Sequence, residues 1–258
     1  MEPVLDVNLW LTLCSVGFIA GLIDAIAGGG GMLTIPTLLS AGLPPHVALG
    51  TNKLAASFGS LTASITFYKK KLFDPYYWRT SILLTAIGAI AGTFAVSYLS
   101  TAFLNKILPV LIILTGLYTL FAKNILRTDM GLPKKSPKLV KKQACQGFVL
   151  GFYDGVAGPG TGAFWTASSS ALYKINILLS SGLARSTNFV SNFCSLLTFI
   201  YLGYVNLILG LSMGLFIMLG AWIGAHFAIK FGSKFIKPTF VILVIFISSK
   251  LAFNAWFP

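Results

Sequence analysis

The chain has 258 residues, 56% of them hydrophobic and only 10% charged, and its mean hydropathy is +0.84. That composition excludes a soluble domain with an ordinary polar surface. The net charge of +13 does not point to nucleic acid either, because the bases lie in short loops between apolar runs rather than on one folded face interleaved with aromatic readers.

In chain order, apolar runs fall near 9–27, 48–68, 78–99 and 105–122, then 144–157, 178–201, 207–229 and 238–256. Runs of about 20 residues cross about 30 Å of hydrocarbon at about 1.5 Å per residue, so the chain reads as an all-α integral membrane protein in contact with lipid along its length. Two shorter pieces, 32–42 and 163–173, follow the first run of each half. The first run follows the acidic "MEPVLDVN" instead of a basic n-region, and reads as a mature helix rather than a signal peptide. Cys14, Cys145 and Cys194 sit in apolar runs without metal-ligand spacing and are expected to be small buried residues with no disulfide framework.

Lys and Arg near span ends stay on the cytoplasmic side. The linker 123–143, "KKKLF" at 69–73 and "KFGSKFIK" at 230–237 are therefore expected inside, and the uncharged connections 100–104 and 201–206 outside, with both termini. Each half then crosses an odd number of times, so the short piece must carry the chain back. The expected architecture is two inverted repeats, 1–122 and 144–258, each with four long helices and one short broken or re-entrant helix, joined by the basic linker 123–143. Internal similarity supports it: "GFIAGLIDAIAGGGG" at 17–31 matches "GFVLGFYDGVAGPGT" at 147–161, and "GAIAG" at 88–92 matches "GAWIG" at 220–224. A short Gly/Pro-interrupted segment in matching places of two halves points to a transporter's solute site.

The runs Gly28, Gly29, Gly30, Gly31 and Gly158, Pro159, Gly160, Gly162 are where helix geometry is expected to fail. Broken backbone inside hydrocarbon is tolerated only against protein or a water-filled cavity. Glycine allows positive φ and close approach, and Pro159 removes a donor. New helices near Met32 and Ala163 would aim free N–H groups into the crevice, which favours an anion. The alternative is that these glycines serve tight helix packing, as Gly88, Gly92, Gly220 and Gly224 are expected to do. No Lys-Ser/Thr pair follows, so this is not a Walker loop.

Lys53 and Arg185 lie inside apolar runs, and an offset of 132 residues places one on the other. An intramembrane cation usually lines a pathway or has a partner. Asn52 adjoins Lys53, while Asn188 and Asn192 share a helix face with Arg185; amides beside a guanidinium suit an oxyanion. Snorkelling is the competing reading for both cations, and the expected one for Lys106 and Lys250. Aligning the "TN" dipeptides uses an offset of 136 instead and breaks the match. For Asp24 and Asp154 three roles stand open: holding the cations, capping the broken helices, or titrating to couple solute to protons. His46 and His226 have no carboxylate or thiol at ligand spacing, so no metal is expected, nor any cofactor. "PYYW" at 75–78 and "WF" at 256–257 fit interfacial anchoring.

"GLIDAIAGGGGMLTIPTLLSAGLPPHVALGTNKL" and "GFYDGVAGPGTGAFW" resemble the two signature regions of the TauE/SafE (sulfite exporter) membrane permeases, including their bacterial inner-membrane members. The resemblance covers nearly the whole chain. It implies a multi-pass inner-membrane carrier, not an enzyme, for sulfite, sulfonates or other organosulfur anions. It points to Asp24, Gly28–Gly31, Asn52, Lys53, Asp154, Gly158–Gly160, Gly162 and Arg185. The expected function is thus a secondary transporter of a small anion by alternating access; an anion channel and a non-transporting scaffold are the alternatives. A homo-oligomer is compatible with the sequence.

Overall fold

The computed structural model describes residues 7–121 and 131–231, with Ser249, Phe253 and Trp256. The expected span 238–256, Lys250, the acidic start and most of the basic segments 123–130 and 230–237 lie outside the described residues. Nine helices run through the described chain: α1 (Val7–Ala27), α2 (Gly31–Ser40), α3 (Pro45–Lys69), α4 (Arg79–Ser97), α5 (Thr101–Phe121), α6 (Pro137–Val156), α7 (Thr161–Tyr173), α8 (Ile177–Tyr201) and α9 (Leu207–Phe231). α1, α4, α5 and α9 are each long and apolar enough to cross a bilayer. α3 and α8 are as long as α9 but carry buried polar rows, including Thr51, Asn52, Lys53, Ser57 and Ser60 on α3. Such rows are tolerated because they face inward between helices, while Leu61 and Ile65 on α3 and Phe193 and Leu197 on α8 face outward.

Helix starts follow local chemistry. α6 begins seven residues earlier than hydropathy suggests, inside the basic linker, because the Ser136 hydroxyl accepts from Leu139 N and Pro137 takes the first helical position, where no N–H is needed. Asn206 likewise caps α9 through Leu209 N at 3.0 Å.

In lipid, helices gain little by hiding apolar surface from one another, so association depends on close contact. α1 packs on α9, and α4 on α6, along glycines that meet backbone carbonyls. A Cβ on Gly21 would lie 2.1 Å from Ile217 O, and one on Gly220 2.0 Å from Phe18 O. The other pair repeats this, with Gly151 against Thr85 O and Gly88 against Phe148 O, both at 2.4 Å. The expected packing role of Gly88, Gly92, Gly220 and Gly224 is what these contacts show.

The short helices turn back along their predecessors. Leu38 on α2 packs with Leu13 on α1, and Tyr173 on α7 donates to Gln146 Oε1 on α6 at 2.6 Å. Two helical hairpins result, α1–α2 and α6–α7. Their open ends lie at opposite ends of the bundle. The first neighbours the end where His46 stacks on Tyr204 and contacts Val96 O. The second neighbours the end where Lys135 lies over Tyr76 and Tyr77, and Lys142 donates to Leu172 O. Lys69, Lys70, Lys71 and Lys174 flank the segments gathered there.

Two smaller expectations change. Cys14 is buried, but Cys145 is exposed and Cys194 only partly covered. Trp78 is 1% exposed and packs on Tyr173, so of "PYYW" it is Tyr76, 67% exposed, that reaches the surface. Trp256 is exposed as expected, beneath Lys106 Nζ at 5.2 Å. His46 and His226 contact only carbonyls and aromatic rings, and no cluster of metal-ligating side chains occurs among the described residues.

Candidate functional site

Both glycine runs break helix geometry as expected. α1 stops at Ala27 because Gly28 adopts φ +84°, and α6 stops before Gly158 at φ +88° and Gly160 at φ +75°. These are left-handed conformations that side chains resist. The hairpin tips touch: Ala163 N donates to Gly28 O at 3.1 Å, and a Cβ on Gly28 would sit 2.4 Å from Ala163 N. Two unravelled backbones therefore satisfy each other in the bundle centre, as a broken helix remote from water must.

A cavity of about 30 Å³ lies at this crossing. Its walls include Gly28, Gly30 and Gly31 from the first tip, Gly158, Gly160 and Gly162 from the second, and Asn52, Asn188 and Asn192 from α3 and α8. Asp24 and Asp154 also face it. Gly29 and Pro159 do not; they work within the breaks, where Gly29 O accepts from Met32 N and Pro159 O from the Tyr153 hydroxyl. At about 10–15 Å³ per water centre, the space holds about two waters. α2 and α7 both direct their first turn at it.

Not all the helix-start amides are free. Gly30 N already donates to Asp24 Oδ1 at 3.0 Å, so Asp24 caps α2 from the preceding helix. Asp154 is held differently: its Oδ1 accepts from Lys53 Nζ at 2.9 Å and Thr161 Oγ1 at 3.1 Å, and its Oδ2 from the Ser191 hydroxyl.

The cations are behind the cavity wall rather than on it. Lys53, 1% exposed, spends its three donors on Asp154 O at 2.6 Å, Asp154 Oδ1 and Asn192 Oδ1 at 3.2 Å. It pins the end of α6, taking a carbonyl that the helix leaves orphaned. Arg185 is equally buried, but its Nε and Nη1 have no partner. A Cβ on Gly162 would lie 2.6 Å from Arg185 Nη1, so the guanidinium presses on the tip crossing. The charge acting on it is Asp24. Asn188 Oδ1 is unpartnered too. A buried guanidinium with idle donors is costly unless something pairs with it.

Three hydroxyls join the site beyond the residues expected from the sequence. Thr34 donates to Asn52 Oδ1, and Thr161 and Ser191 donate to Asp154. Thr161 stands three residues after the glycine that ends α6, and that spacing was its only signal.

The family model for the sulfite exporter TauE/SafE matches residues 13–251. The chain belongs to the TauE/SafE family. It is similar over 254 residues, at 35% identity and 98% coverage of each chain, to a probable membrane transporter protein of Haemophilus influenzae. The probable membrane transporter protein YfcA of Escherichia coli K12 is 36% identical over 245 residues, covering 93% of this chain and 88% of its own. The probable membrane transporter protein ORF9 of a Sinorhizobium species is 36% identical over 244 residues, with 95% and 92% covered. No solved structure matches. These TauE/SafE relatives are membrane transporters rather than enzymes.

Proposed function

We propose that the protein is a secondary transporter of a small anion in the cytoplasmic membrane, with the cavity at the hairpin crossing as its solute site. The observation that carries this is Arg185: a guanidinium 1% exposed, with unpartnered Nε and Nη1, set against two glycine tips whose helix starts face one cavity. Positive helix ends and a bidentate donor suit an oxyanion. The family description favours sulfite or another organosulfur anion.

The architecture under this reading is two inverted repeats. Its support is the matching of contacts between the halves. Gly88 meets Phe148 O and Gly220 meets Phe18 O; Gly50 meets Tyr204 O and Gly182 meets Leu72 O. Each pairing maps onto its partner by shifts of 130 or 132 residues. α3 and α8, both of 25 residues, begin 132 apart, at Pro45 and Ile177, which favours matching Lys53 with Arg185. The lysine-rich end faces the cytoplasm. Alternating access then means parting the tips toward one side and the other, by breaking the Ala163–Gly28 bond and rocking the hairpins.

Two helix starts converging on one small cavity favour a carrier over a channel, which needs a continuous path. Reconstituted vesicles loaded with sulfite test this. A carrier gives saturable counterflow of labelled sulfite. A non-saturating current identifies a channel, and no flux of any oxyanion leaves a scaffold.

A further inference from the structure

Four ionisable side chains surround the tips: Lys53 and Arg185, Asp24 and Asp154. Two positive and two negative charges make the core neutral when both acids are ionised. The two acids are not held alike. Asp154 is 2% exposed and takes an ammonium and two hydroxyls. Shifted by 130 and 132 residues, Thr161 and Ser191 fall on Gly31 and Gly59. Asp24 therefore lacks both hydroxyls. Its Oδ1 accepts from Gly30 N, and it acts through space on an Arg185 that has idle donors.

Asp24 thus stands where an anion would stand, on the start of α2 and in the field of Arg185. A monovalent solute arriving there would compete for Gly30 N–H and would leave three negative charges facing two positive in a space of about two waters. Adding one proton to Asp24 removes that excess and weakens its hold on the amide.

Resting on the anion reading above, we infer that Asp24 takes up one proton for each monovalent anion bound, so that solute and proton cross together without net charge. The proton enters from water on the loading side, resides on an Asp24 carboxylate oxygen, and leaves with the anion. Among the described residues, the other charged groups facing Asp24 are Arg185 from α8, Lys53 from α3, committed to Asp154, and Asp154 itself from α6. α2 has no titratable side chain, and that of α7, Tyr173, lies at its far end in the aromatic cluster with Trp78. On α9, His226 is exposed against Trp222.

The test uses purified full-length protein with methanesulfonate or nitrate, monovalent anions that stay ionised at working pH. A pH-indicating dye in weakly buffered solution counts protons taken up per anion bound. The wild type is expected to take up about one, and its Kd to rise about tenfold per pH unit over the range of uptake. Asp24→Asn keeps an oxygen for Gly30 N–H and is expected to take up none, with Kd independent of pH. Binding by the wild type without proton uptake, or unchanged uptake by Asp24→Asn, overturns the inference while leaving the anion site standing. Failure of both anions to bind at any pH overturns the inference and the site together.

Discussion

Replacing Lys53 by Ala is expected to cost about 3–5 kcal/mol of stability, because it leaves Asp154 as an uncompensated buried charge. The pair is enclosed, with side chains 1% and 3% exposed, so solvent does not screen it. Three consequences arise together: Asp154 loses its counter-ion, Asp154 O loses its donor, and Asn192 is released. Thermal unfolding in detergent measures the loss. The double variant Lys53→Ala/Asp154→Ala removes both charges and is expected to recover much of it. A double variant as unstable as the single would mean that the carbonyl clamp on α6, not charge balance, dominates. On this geometry Lys53 holds the second tip through Asp154, whereas the sequence suggests a symmetrical pair of binding cations.

Arg185→Ala is expected to weaken anion binding far more than it weakens the fold. Losing a desolvated charged partner costs about 2 kcal/mol or more, a fall in affinity of about 30-fold or greater. Stability should fall less than for Lys53→Ala, since Arg185 Nε and Nη1 make no hydrogen bond that the variant would break. Arg185→Lys restores charge without the planar fork, and an intermediate affinity is expected. Equilibrium binding of sulfite to the three proteins, beside their melting temperatures, separates the effects. Equal affinity in all three would leave the guanidinium without a solute role.

The two tips were legible in the sequence because their cause is local. Glycine runs and a proline state directly where a helix fails, and within those runs Gly28, Gly158 and Gly160 have positive φ. Helix α6 starts earlier than its apolar run because hydropathy reports the bilayer rather than the helix; Pro137 to Gln143 carry three lysines yet are helical. What the chain could not disclose is which charges find partners. Lys53 and Asp154 are 101 residues apart, and only packing decides that Lys53 is satisfied while Arg185 keeps free donors. The difference between the acids is visible afterwards in the sequence, as Thr161 and Ser191 set against Gly31 and Gly59. It acquires meaning only when those hydroxyls are seen on Asp154.

The most direct measurement is to locate an anion at the crossing. Selenite carries the shape and charge of sulfite and an atom that scatters anomalously, so crystals grown with it report position without assumption. The account predicts an anomalous peak between Gly30, Gly162 and Arg185, with the Gly28–Ala163 contact opened to make room. A peak only among the lysines at the bundle end, with the Gly28–Ala163 contact intact, would contradict it.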